Sequence, residues 1–251
     1  MQILSLILLF LAFALPLNAE DWKTTDGNTY NDVTITSVDG DTVTISDQNG
    51  HDLVSMKVLP PNLLGKVRYF AAKAKDPNIP TYFKLNSVNQ AKALAQQVHL
   101  PLAWICSWNH SLTDRDSPPE SESGSTQMAI AALQGQAIVV FVAADGEYLH
   151  SPKIILDQLF QLDDGHLPDG HHFLTPKVVF SSPNVTKTFG RVSYTQMKAT
   201  GKAAIKAAID AINNDPAAQA ILQGQPASAP TAPKSQPSSN STPDDDMFQK
   251  M

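Results

Sequence analysis

The chain has 251 residues, 42% of them hydrophobic, with one cysteine and a formal net charge of −6. That length supports one ordinary core and a smaller satellite domain. Lys and Arg are scattered and form no basic stripe, so nothing in the charge pattern argues for nucleic acid or an anionic membrane as partner.

Residues 3–17 are an apolar run. At about 15 residues it falls short of the roughly 20 that a membrane span needs. It ends in Leu17-Asn18-Ala19, small residues placed as a signal-peptidase site before Glu20-Asp21. The expectation is a cleaved signal peptide over 1–19, export to the periplasm or beyond, and no membrane span after cleavage. No cysteine sits at the cleavage point to carry a lipid. In an oxidising compartment a lone cysteine cannot pair within its own chain. Cys106, inside the apolar stretch Leu102-Ala103-Trp104-Ile105-Cys106-Ser107, reads as a small buried hydrophobe.

From 20 to 61 the pattern is all-β. Val33 and Ile35 alternate with threonines, as do Val43 and Ile45, and Asp39-Gly40 and Asn49-Gly50 supply hairpin turns. Leu64, Val67, Ala71 and Ala74 then follow helical spacing, so 62–86 reads as a connector helix and linker. Ser87-Val88-Asn89-Gln90 has the form of a capping box, ahead of a helix with Ala91, Leu94, Ala95 and Val98 on one face. A strand over 102–107 follows, then a polar loop and a short helix over 128–133. Residues 137–143 are apolar throughout, as a strand covered on both faces requires. Ser151 and Pro152 suit the N-cap and first position of a helix that turns Ile155, Leu159 and Phe160 inward. Strands over 177–181 and 187–194 make a hairpin through Ser182-Pro183-Asn184. The last long helix carries Ala204, Ile205, Ala208, Ile209 and Ile212 on one stripe, and Asp215-Pro216 stops it and restarts a turn. The segment 216–251 ends in a Pro/Ser-rich tail with the charge cluster Asp244-Asp245-Asp246, a composition that cannot offset the entropy of ordering.

This order predicts an α/β fold with a mixed sheet, parallel centrally and antiparallel at one edge. With Thr175-Pro176 opening the third strand of the domain, residues 87–215 resemble the thioredoxin-like fold. The resemblance implies a cis bond at Thr175-Pro176 and a groove beside it that holds extended peptide by its backbone. That groove would be lined by Trp108, Asn109, His110, Thr175 and Pro176. It does not imply redox chemistry. Where a thioredoxin carries Cys-x-x-Cys, this chain reads His110-Ser111-Leu112-Thr113, and disulfide exchange needs an attacking thiolate and a resolving thiol. The earlier run Trp22, Asp26-Gly27, Tyr30, Val33, Gly40, Val43, Gly50 and Leu59-Pro60 resembles the small SH3-like barrels that begin many exported bacterial proteins, which implies a docking or spacer module.

Two other constellations bear chemistry. Residues 163–172 gather Asp163, Asp164, Asp169, His166, His171 and His172, and such ligands at loop spacing suit a divalent metal; Asp-Gly pairs are also plain turn chemistry. Cys106 alone would have to serve a single-thiol oxidoreductase. The triplets Asn109-His110-Ser111, Asn184-Val185-Thr186 and Asn240-Ser241-Thr242 match the glycosylation acceptor pattern. No Gly-x-Ser-x-Gly and no phosphate-binding glycine loop occurs. The residues favour a non-redox binding or scaffold protein with a protein or peptide partner, no cofactor and no assigned catalytic residue. A single-thiol enzyme and a metal-binding protein stand as alternatives.

Overall fold

Alternating β-branched residues build the first sheet. The computed structural model describes residues 20–107, 123–144, 146–162 and 175–225. Strands β1 (Glu20–Lys23), β2 (Thr29–Asp39), β3 (Thr42–Asp47) and β4 (Gly50–Ser55) pair antiparallel in chain order. The inward parity of β2 and β3 places Val33, Ile35, Val43 and Ile45 in one cluster with Trp22 and Val54. The two hairpin turns fall one residue from the expected places. Asp39 pairs with Thr42 and Asp47 with Gly50, so Gly40-Asp41 and Gln48-Asn49 make the turns. Gly40 supplies a positive φ of 54°.

The four strands do not close on themselves by pairing. The main-chain and hydroxyl groups of Thr25 both donate to the Val58 carbonyl, at 2.8 and 3.1 Å, which draws the loop after β1 to the turn after β4. Helix α1 (Pro61–Lys75) covers the open face: Leu63 and Val67 complete the cluster around Trp22. Its other flank carries Tyr69 and Ala72 into the core of the second sheet. Two bodies press on α1, so its buried positions are Leu63, Gly65, Lys66, Val67, Tyr69 and Ala72, a wider set than one amphipathic stripe.

The second sheet has the order β5-β7-β6-β8-β9. Its strands are β5 (Phe83–Lys84), β6 (Leu102–Ser107), β7 (Ile138–Ala143), β8 (Lys177–Ser181) and β9 (Thr188–Val192). β5, β7 and β6 run parallel, and β8 and β9 form the antiparallel side. Every residue of β6, β7 and β8 is buried. Period-two alternation sends Leu102, Trp104 and Cys106 to one face, under α2 (Val88–Val98) and α4 (Lys153–Gln161). Ala103 and Ile105 go to the other, under α3 (Ser123–Leu133), α5 (Tyr194–Thr200), α6 (Lys202–Asn213) and α7 (Pro216–Leu222). Each large side chain buried in this way contributes about 1.5–3 kcal/mol.

Several helix starts differ from the sequence reading. Ser87 makes no cap bond, because the 3-10 turn Leu85–Ser87 already holds it and its hydroxyl turns to Asn86 at 3.0 Å. A complete capping box forms instead at Ser193 and Gln196, which opens α5, a helix absent from the sequence reading. Gly201, at φ 51°, separates α5 from α6. Pro152, not Ser151, holds the N-cap position of α4, since the 3-10 turn Glu147–His150 runs up to Ser151. Phe160 is half exposed and meets Tyr148 edge-on at 6.2 Å; Ile155, Leu159 and Leu162 are the inward residues.

Candidate functional site

The end of the sheet where β6 stops and β8 starts gathers several polar groups. Cys106 lies opposite Lys177 in the antiparallel register, both 0% exposed. Lys177 Nζ donates to the Leu162 carbonyl at 2.6 Å. That carbonyl is among those left open at the end of α4, where a cation also suits the helix dipole. The Ser107 and Thr126 hydroxyls, both buried, meet at 2.8 Å and tie the end of β6 to the first turns of α3. Towards the opposite end of the sheet, Trp104 Nε1 donates to Ser181 Oγ at 2.9 Å, and Ser181 passes a bond to the Ser182 carbonyl at 3.1 Å.

Thr175 stands at the mouth of this end. The Thr175-Pro176 bond is cis, as the resemblance implies. Pro176 is buried and Thr175 half-buried. Thr175 Oγ1 is enclosed and has no hydrogen-bond partner among the described residues. Buried hydroxyls are ordinarily partnered, and Thr175 Oγ1, like Ser151 Oγ, departs from that rule.

Of the residues the resemblance assigns to a groove, Thr175 and Pro176 are described, and both directly precede β8. Trp108, Asn109 and His110 lie outside the described residues, as does the Asp/His stretch 163–172. What the structure fixes is their attachment: Ser107 ends β6 and Thr175 precedes β8, and the pairing of Cys106 with Lys177 makes those points neighbours. The stretch 110–113 falls between β6 and α3, which starts at Ser123. Among the described residues no group of three His, Cys, Asp or Glu is placed to hold a metal. His150 is exposed in its 3-10 turn. Asn184, in the β8–β9 connection, accepts from Ser182 Oγ at 2.7 Å and Thr186 Oγ1 at 2.8 Å, so the Asn184 triplet is a turn built on its own side chains.

Sequence reasoning missed Lys177, Ser107 and Thr126 as members of this site. A signal existed for Lys177. It shares parity with Val179, which faces the core, so a lysine there must bury its stem and find a partner.

A second polar cluster joins the two bodies. Glu20 Oε1 takes Lys66 Nζ at 2.7 Å and Trp22 Nε1 at 3.2 Å, and Oε2 takes Gln136 Nε2 at 3.0 Å. The Lys66 side chain is 4% exposed. Close by, the Tyr69 hydroxyl donates to Gln134 at 3.4 Å, and Gln134 Nε2 donates to the Thr81 carbonyl at 2.9 Å. Burial pushes the Tyr69 phenol up to about 12, and desolvation lowers the Lys73 ammonium.

No family model, curated protein or solved structure matches the chain. Among the described residues no helix is long and apolar enough to cross a membrane.

Proposed function

We propose that the chain is an exported, non-redox, thioredoxin-like binding protein that holds an extended peptide beside Thr175-Pro176, with an SH3-like module at its N-terminal end. The observation that carries the reading is the enclosed Thr175 hydroxyl, without a partner among the described residues, at the sheet end where β6 and β8 meet. A main-chain amide of an extended ligand supplies the missing partner. The mixed sheet, its parallel strands bordered by an antiparallel hairpin, and the cis bond leading into β8 support the thioredoxin-like assignment. The antiparallel sheet, with register shifts in its β1–β2 and β2–β3 pairs, and the 3-10 turn at Met56–Val58 support the SH3-like one.

The geometry counts against a thiol enzyme. Cys106 is wholly buried, and a nucleophilic thiol must be reachable. We read this sheet end as a recognition surface, in which a backbone-directed groove takes extended peptides. Cross-linking to the native chain of a tryptic peptide pool that carries a photoreactive group tests the idea. Saturable capture of a restricted peptide set at 175, and none at the exposed position of Lys153, is the expected outcome. Equal, non-saturable labelling at both positions would remove the groove.

A further inference from the structure

β9 is an edge of its sheet: β8 lies on one side, and among the described residues no strand lies on the other. An uncovered edge offers main-chain N–H and C=O groups to an extended segment. Two depressions flank it. One of about 290 Å³ lies towards α4, bounded by Gln158, Gln161 and Gly190. The other, of about 540 Å³, is bounded by Val192, Gln196, Thr200, Ala204, Ala207 and Ala208. Arg191 borders both. Its Nη1 donates to Gln158 at 3.3 Å and Gln161 at 3.0 Å, so a full positive charge on this edge is met by neutral amides. A strand laid along β9 would send alternate side chains to the two sides. One side asks for a carboxylate, and the other for a slender apolar side chain over alanines.

Residues 244–251 read Asp-Asp-Asp-Met-Phe-Gln-Lys-Met, which has an acid next to an apolar residue at Asp246-Met247. They follow a stretch with prolines at 226, 230, 233, 237 and 243, which begins just past the end of α7. α7 rests on α6, and α6 in turn rests on β9. At about 3.1 Å per residue, a stretch of about 18 residues can reach roughly 55 Å, more than the diameter of the intervening helix, and a tether of that length holds its end at millimolar effective concentration. We propose that residues 244–251 dock on β9 of the same molecule as an added strand, with Asp246 on Arg191 and Met247 in the alanine-lined depression.

Hydrogen exchange of residues 188–192 decides it, read on the mature chain and on a variant that stops after Pro243. Exchange of β9 amides should quicken about tenfold in the shortened chain, and the free peptide of residues 244–251, added at millimolar concentration, should restore protection. Arg191→Glu should match the shortening, and Lys at 244, 245 and 246 in that background should reverse it. Identical exchange in the full and shortened chains overturns the proposal. Protection that rises with protein concentration also overturns it, because the edge is then covered by a second copy.

Discussion

Cys106 shows how a single residue limits the chemistry. Its side chain lies under α2 and α4, opposite a lysine whose ammonium is bound at the end of α4. A thiol reagent should therefore label the native protein at least about a hundredfold more slowly than the denatured one, since reaction waits on opening of the core. Rapid native labelling, measured by intact mass, would return the thiol to consideration. Tyr69 offers a second single-residue test. Its folded pKa of about 12 lies above the ordinary value of 10.0. A group whose folded pKa is raised stabilises fully below its unfolded pKa and loses that contribution as pH rises through the folded one. The native state should thus lose about 2–3 kcal/mol between pH 10 and 12 from this residue. Tyr69→Phe should remove that part of the alkaline slope in denaturant titrations; an unchanged slope would mean that the phenol titrates normally.

Among the elements, α1 joins the two bodies through Leu63 and Val67 on one flank and Tyr69 and Ala72 on the other. Glu20 adds the polar tie, so its loss should be felt in both. Glu20→Ala leaves the Lys66 ammonium buried without its carboxylate, and should cost about 3 kcal/mol by chemical denaturation. Lys66→Met replaces the charge by an apolar side chain of similar length, and Glu20 keeps Trp22 and Gln136. It should cost clearly less. Equal losses in the two variants would mean that the ion pair contributes little beyond packing. Gly65 explains how closely the bodies approach: a Cβ there would come within 2.7 Å of Leu100 Cδ2.

The strands other than β5, which falls in the stretch 62–86 that reads as connector helix and linker, and the inward faces of α2 and α6 were legible in the sequence, because parity and helical spacing are properties of local sequence. Val33, Ile35, Val43, Ile45, Ala91, Leu94, Ala95 and Val98 are all buried. What was not legible depends on neighbours. The wide buried surface of α1 follows from a second body pressing on it, and the failed cap at Ser87 from a preceding 3-10 turn that spacing does not reveal. Thr175 and Pro176 were named through a resemblance, and the cis bond it implies is present. Lys177 escaped because a charged residue at a strand start ordinarily reads as solvent-facing, whereas Leu162, its partner, comes from the end of a distant helix.

At the scale of the whole molecule, Glu20 is both the first residue after the expected cleavage point and the first residue of β1, where it pairs with Val33. Cleavage before Glu20 leaves the strand and the Lys66 contact intact. Mass spectrometry of the exported protein should find a mature chain starting at Glu20, and a mass that retains residues 1–19 would make that segment an anchor. Beyond this junction, the second sheet buries β6, β7 and β8 completely, with Ser107, Thr126 and Lys177 at the end beside Thr175, and Ser181 and Ser182 at the other.

The central claim is that the sheet end beside Thr175 recognises peptide without thiol chemistry. The most direct measurement is the affinity of a peptide captured at position 175 for the native chain, for Cys106→Ser and for Thr175→Arg. Native and Cys106→Ser should bind alike. Thr175→Arg, which fills the mouth from a half-exposed position, should weaken binding at least about tenfold, or 1.4 kcal/mol. Undiminished binding by Thr175→Arg, or loss of binding in a folded Cys106→Ser, would contradict the account.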